Sequence, residues 1–170
     1  MRGPLALLLL VPSLAACLGE AWAQGGKVER IDIVEAGLYR AQTVSIAEAP
    51  DTATRQRNIL SETMLLAPTT RVEAKIGVHF GIRYRVVGRP NNATIKLVST
   101  TLYPTPGLKN PKSDNNQTRG EHSLFATIGQ VNYRGYVFEH DWELVPGAWT
   151  FELWDGKRKL ASQTFEVVKP

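Results

Sequence analysis

Apolar and polar residues alternate with a period of two over most of the chain. In residues 76–87, Ile76, Val78, Phe80, Ile82, Tyr84 and Val86 share one parity, and Gly77, His79, Gly81, Arg83 and Arg85 share the other. Successive side chains of a strand point to opposite faces, so the pattern predicts a strand with one core face and one wet face. Turn residues follow at 88–92, where Gly88, Pro90, Asn91 and Asn92 cluster. A second strand is predicted at 94–103, with Ile95 and Leu97 on one face. Further strands are predicted at 124–128, 131–139 and 142–145. Trp149, Phe151 and Leu153 alternate in another, Asp155-Gly156 is a hairpin signal, and 160–168 is the last. Upstream, 28–34 and 38–46 read as two more.

Two segments break the alternation. Residues 104–122 are rich in Pro, Gly, Asn and Ser and predict one long polar loop; connections of that length are often functional. Residues 47–57 are the one helix candidate, although they lack a sustained apolar stripe and Pro50 interrupts them. Seven to nine short strands separated by turn signals predict an all-β fold, an antiparallel immunoglobulin-like sandwich without the Cys-Trp-Cys pattern of antibody domains.

The first 23 residues read as a secretory signal and not as part of the fold. Arg2 precedes an apolar run dominated by Leu5 and Leu7 to Leu10, too short to cross a bilayer. Two processing sites compete. Ala21-Trp22-Ala23 predicts cleavage before Gln24 and a soluble periplasmic product. Leu14-Ala15-Ala16-Cys17 resembles the bacterial lipobox, in which Cys17 becomes a lipidated N-terminus. Both products leave the cytoplasm. The expected organisation is a signal peptide at 1–23, a short linker at 24–27 and a single domain at 28–170, with no transmembrane helix in the mature chain.

Composition leaves this picture standing. The chain has 170 residues, 43% of them apolar and 21% charged, which suits one globular domain able to bury its own core. A single cysteine permits no intramolecular disulfide. The formal charge of +4 is spread along the chain, so it argues only weakly for an anionic partner.

Catalytic sets are hard to assemble from these residues. His79, His122 and His140 show no ligand spacing, and no metal or other cofactor is expected. His122 falls in or beside the long loop. No Gly-x-Ser-x-Gly elbow appears. No Gly-rich loop precedes a helix, and no nucleic-acid partner is expected. Glu139, Asp141 and Glu143 share a parity in the 139–143 segment and could line one face, with His140 between them. A solvated acidic strip explains them as well.

Candidate contact residues are basic. His79, Arg83 and Arg85 form a strip on the wet face of their strand. Lys157, Arg158 and Lys159 form a hairpin tip, and Trp154 beside it is a candidate exposed aromatic. Both groups could meet an envelope protein, an anionic glycan or an anionic lipid surface.

Three blocks carry a resemblance. They are Gly77, Val78, His79, Phe80, Gly81, Ile82, Arg83 and Tyr84; the loop from Tyr103 through Pro104, Thr105, Pro106, Gly107 and Leu108; and Gly135 to Glu139 followed by Trp142 to Phe151. Together they resemble domain-of-unknown-function family 3859, a family of bacterial and commonly exported proteins, over nearly the whole mature chain. The resemblance implies an exported β-rich domain. It implies no activity, ligand or catalytic residue. Two functional readings result. The first is a non-catalytic binding or structural module of the cell envelope. The second is a periplasmic hydrolase or metal-dependent enzyme using the 139–143 segment.

Overall fold

A computed structural model describes residues 26–113 and 116–170; the signal region, both processing sites and Cys17 lie outside them. Nine strands form two facing sheets. They are β1 (Lys27–Glu48), β2 (Gln56–Ala67), β3 (Arg71–Glu73), β4 (His79–Arg89), β5 (Thr94–Leu102), β6 (Arg119–Thr127), β7 (Val131–Val137), β8 (Gly147–Asp155) and β9 (Arg158–Val168). The first sheet runs β2-β1-β4-β7 and the second β3-β9-β8-β5-β6. All pairings are antiparallel except the short β3–β9 pair.

The alternation read from the sequence is the core. Phe80, Ile82, Tyr84 and Val86 of β4 face Leu97 of β5, Trp149, Phe151 and Leu153 of β8, and Phe165 and Val167 of β9, all fully buried. Phe80 is the hub, with ring centroids of Tyr136, Phe138, Trp149, Phe151 and Phe165 between 5.2 and 6.0 Å away. Such pairs add about 0.5–1.5 kcal/mol each beyond the area they bury.

Besides β2 and β3, where the sequence reading placed no strand, four segments differ from it. The two strands expected at 28–34 and 38–46 are one 22-residue strand. Bulges after Val28 and Ile33 let it change face without ending. The helix expected at 47–57 is the end of β1, a turn and the start of β2. Residues Ala49, Thr52 and Arg55 exchange short-range backbone bonds that copy one helical turn, and Arg55 then adopts a left-handed φ of 59°. The strand expected at 142–145 is a 3-10 turn, Asp141–Glu143, for a reason given below. The long loop is shorter and more ordered than expected. Leu108 is fully buried and exchanges both backbone bonds with Gln117, so β6 already begins at Arg119.

One feature of this architecture builds the site. Past Tyr39, β1 no longer pairs with β4 and continues with β2 alone, as a two-stranded arm. Arg83 on the outer face of β4 fastens it, donating to Thr63 O on β2 and pairing with Glu35 on β1 at 3.3 Å. The arm's tip docks on the far sheet. Glu121 N of β6 donates to Asp51 O at 2.8 Å, and Asn110 Nδ2 donates to Ala53 O at 2.8 Å. The arm therefore bridges the open edge where β6 and β7, the last strands of their sheets, lie opposite each other.

Candidate functional site

A cavity of about 160 Å³ occupies that edge. Its walls come from three sources. The arm supplies Thr52, Thr54, Arg57, Asn58 and Leu60. Strand β7 and its flank supply Tyr133, Arg134, Tyr136 and Glu139. The second sheet supplies Thr101, Tyr103, His122 and Leu124, and His79 closes the β4 side.

Arg134 is the unusual member. It lies in phase with Tyr136 and Phe138, on the inward face of β7, and is only 6% exposed. Its Nε donates to Ser99 Oγ and its Nη2 to Thr101 Oγ1, both at 2.5 Å, and its Nη1 donates to Gly135 O. The guanidinium plane lies over Phe151, 4.4 Å from the ring centroid. Every one of these partners is neutral. Among the described residues no carboxylate pairs with Arg134. Buried charges are ordinarily paired, because an isolated ion in a low-dielectric interior is costly. A guanidinium carries five N–H groups, and the three bonds leave two of them over.

The groups around it respond to that charge. His122 sits on the inward face of β6, not in the loop where the sequence had suggested it. Burial, then the charges of Arg134 and Arg57, push its pKa down to about 3, so it is neutral at ordinary pH. Burial also lowers His79, with Glu139 acting against it. The phenol of Tyr133 is buried without a hydrogen-bond partner among the described residues, and that of Tyr136 is buried beside the Glu143 carboxylate. Tyr133 is folded over its own strand, where Gly135 leaves the room: a Cβ there would strike the Tyr133 hydroxyl. Burial raises both phenols above their ordinary values, so they remain neutral donors. Burial likewise lifts Tyr103 to about 12.

The residues singled out from the sequence are placed differently. Of the basic strip, His79 lines the cavity, Arg83 is engaged by the arm, and Arg85 is exposed. The strip is thus not one free surface. At the hairpin tip Arg158 donates to Val28 O at 2.5 Å and pairs with Asp155 at 3.0 Å. Lys159 pairs with the buried Glu152 at 3.0 Å and lies 5.6 Å from the Trp154 ring centroid. Trp154 is half-buried and donates to the same carboxylate at 3.0 Å. Lys157 is exposed.

The 139–143 segment does not form a carboxylate pair. Glu143 is fully buried and accepts the backbone N–H groups of Glu139 at 2.7 Å and His140 at 3.3 Å. This capture of two backbone donors is what bends the segment into a turn instead of a strand. Asp141 is exposed, and Glu139 accepts from Asn58 at 2.9 Å on the cavity rim. Among the described residues no group of three or more His, Cys, Asp or Glu side chains could hold a metal ion. No helix among them is long and apolar enough to cross a membrane.

Arg134 carried a sequence signal that composition and motif reading overlooked. An arginine in phase with Tyr136 and Phe138 breaks the inward apolar parity of a predicted strand. His122 gave none, because its strand begins inside a stretch that reads as loop.

Comparison with known proteins agrees with the architecture. An immunoglobulin-like protein from Pseudomonas aeruginosa, known from its crystal structure, is similar to this chain with a TM-score of 0.56. The identity is 23%, and the match covers 84% of this chain and all of the other, a likeness of fold. No curated protein matches the sequence. The model of the family described as "Domain of unknown function (DUF3859)" matches residues 27–167, from the first strand to the last, and the chain belongs to that family.

Proposed function

We propose that this chain is an exported bacterial binding module of the cell envelope, acting without catalysis, and that it binds through the cavity between β6 and β7. The observation that carries the reading is the buried cation of Arg134, which among the described residues has only neutral partners. A sandwich of this size needs no charge in its core to fold. A group that costs stability and lines a cavity with donors to spare is the mark of a ligand site. Export is supported by the Arg2-led apolar run and the two processing sites that follow it. The product is soluble after cleavage at Ala23 or lipid-anchored through Cys17.

The hydrolase reading of the 139–143 segment needs carboxylates converging on one point. The segment instead uses Glu143 to hold its own backbone. The test is a fragment screen of the mature domain by two-dimensional NMR, with neutral, cationic and anionic fragments. A binding module shows saturable shifts confined to Arg134, His122, Tyr136 and the arm. A purely structural module shows none, and that outcome would remove the proposal.

A further inference from the structure

We infer that the cavity is a carboxylate site: it takes a small monoanionic carboxylic acid whose charged end meets Arg134 and whose apolar body lies against the cavity's aromatic and aliphatic walls. The inference rests on the binding reading above and names the ligand class that reading leaves open.

Charge selects the class. Among the cavity's lining residues the charged side chains are Arg57, Arg134 and Glu139, and burial lowers the pKa of both histidines; the Glu143 carboxylate is outside the lining and acts on Tyr103 and Tyr136 from behind the wall. Two guanidiniums against one carboxylate leave a single positive charge. A monoanion neutralises it. A phosphate monoester carries nearly twice that charge and would sit uncompensated in a low-dielectric site. A cation would meet the buried Arg134 directly.

Geometry narrows it further. The guanidinium is a planar fork that binds carboxylates through two parallel N–H bonds. Arg134 is held rigid by Ser99, Thr101 and the Phe151 ring, so little rotamer freedom remains to be lost on binding. The Tyr136 phenol supplies a second kind of donor, buried and neutral, with the Glu143 carboxylate beside it. Leu60, Tyr103 and Leu124 form the apolar part of the walls, beside the hydroxyls of Thr52, Thr54 and Thr101, and about 160 Å³ suits a body of about a single ring.

The test is an NMR titration of the full mature protein with benzoate, benzamide and inorganic phosphate as separate probes. Benzoate and benzamide share shape and differ in charge. Benzoate is expected to shift the Arg134 Nε signal saturably and to bind at least about tenfold more tightly than benzamide, since a charge-assisted bond exceeds a neutral one by 1.4 kcal/mol or more. Arg134→Met should abolish the benzoate response, and Arg134→Lys, which keeps the charge and loses the fork, should weaken it about tenfold. Arg57→Gln and Tyr136→Phe, which leave the core contacts of Arg134 in place, should each weaken it several-fold and serve as the test if Arg134→Met does not fold. Equal binding of benzamide at the same residues overturns the carboxylate inference and leaves the binding reading intact. Tighter binding of phosphate than of benzoate overturns the ligand class. A benzoate response unchanged in Arg57→Gln and Tyr136→Phe marks adventitious binding elsewhere and overturns the inference. Silence of every probe and of the fragment screen overturns both readings.

Discussion

Arg134 on β7 donates to the hydroxyl of Thr101 on β5 at 2.5 Å and likewise to that of Ser99, so the bonds that cross the sandwich at its open edge join a cation to neutral groups. Breaking a buried ion pair is strongly destabilising, because the surviving partner is left as an unpaired charge. Here no acidic partner would be left behind. Arg134→Met removes a desolvated charge, keeps most of the side-chain volume and leaves Ser99, Thr101 and Gly135 O to re-pair. The expected change in unfolding free energy is within about 1 kcal/mol of zero, against the 3–5 kcal/mol typical of a broken buried salt bridge. Denaturant unfolding with an unchanged slope measures it. A loss of several kcal/mol would make Arg134 a structural residue.

His122 gives the fold an acid-sensitive point. Its folded pKa is pushed down to about 3 from an ordinary 6.5, chiefly by burial. Between those two values the unfolded chain binds a proton that the folded chain does not. Stability therefore rises with pH across the window, is complete above about 6.5 and is progressively lost as pH falls toward 3. The loss reaches a few kcal/mol at the acid end, at about 1.4 kcal/mol for each unit of pKa difference. His122→Gln should flatten the curve between pH 6.5 and 4 while leaving the remaining carboxylate titrations visible below it. Midpoints of urea unfolding measured at half-unit pH steps check this, and an unflattened curve would remove His122 as the cause.

Much of the fold was legible, and the reason is the even period. β4 has one face in the core and one outside, so Phe80, Ile82, Tyr84 and Val86 announced themselves. The Asp155-Gly156 turn and the Trp149, Phe151 and Leu153 alternation did the same for β8 and β9. The arm was not legible. Its strands have no buried face of the ordinary kind: Val44, Ile46, Met64 and Leu66 are exposed, so alternation does not mark a core. Its tip mimics a helical turn for a few residues, which is why 47–57 read as a helix. The site was legible least of all. It lies where the arm, β6 and β7 meet, and only tertiary contact joins Arg57, His122 and Arg134. The surface strip read from parity was correct in its parity, since His79, Arg83 and Arg85 do share the outer face of β4. It was incomplete because the sequence does not show the arm that covers two of the three.

Glu143 separates a structural acid from a catalytic one. Its carboxylate holds the N–H groups of Glu139 and His140 in a fully buried position. Burial raises its pKa, and those two N–H bonds act against the rise. Glu143→Ala leaves two buried donors without an acceptor and should cost about 2–4 kcal/mol. Glu143→Gln retains one acceptor of the same reach and should cost roughly half as much. Because the Glu143 carboxylate also acts on the Tyr136 phenol, neutralising it in Glu143→Gln should tighten the benzoate titration. Thermal unfolding ranks the stability of the pair, and the titration reads the site.

The outer face of β4 yields the last prediction, through Arg83. Its bonds to Thr63 O on the arm and to Glu35 on the β4-paired part of β1 are partly buried, while Arg85 two residues on is exposed. If the face is a fastening, Arg83→Ala should loosen the arm and Arg85→Ala should not. Amide hydrogen exchange at Thr63, Leu65 and Arg57 is expected to speed up about tenfold in Arg83→Ala, a loss of about 1.4 kcal/mol of local opening energy, with Phe151 and Leu153 of β8 unchanged. The benzoate affinity should fall with it, since the arm supplies Leu60 and Arg57 to the cavity. If the face is an anion-binding surface instead, both substitutions should weaken retention on heparin to a similar degree while leaving exchange on the arm as it was. Arg83 bonds a backbone oxygen of the arm and Arg85 is exposed, and so the two substitutions should part company.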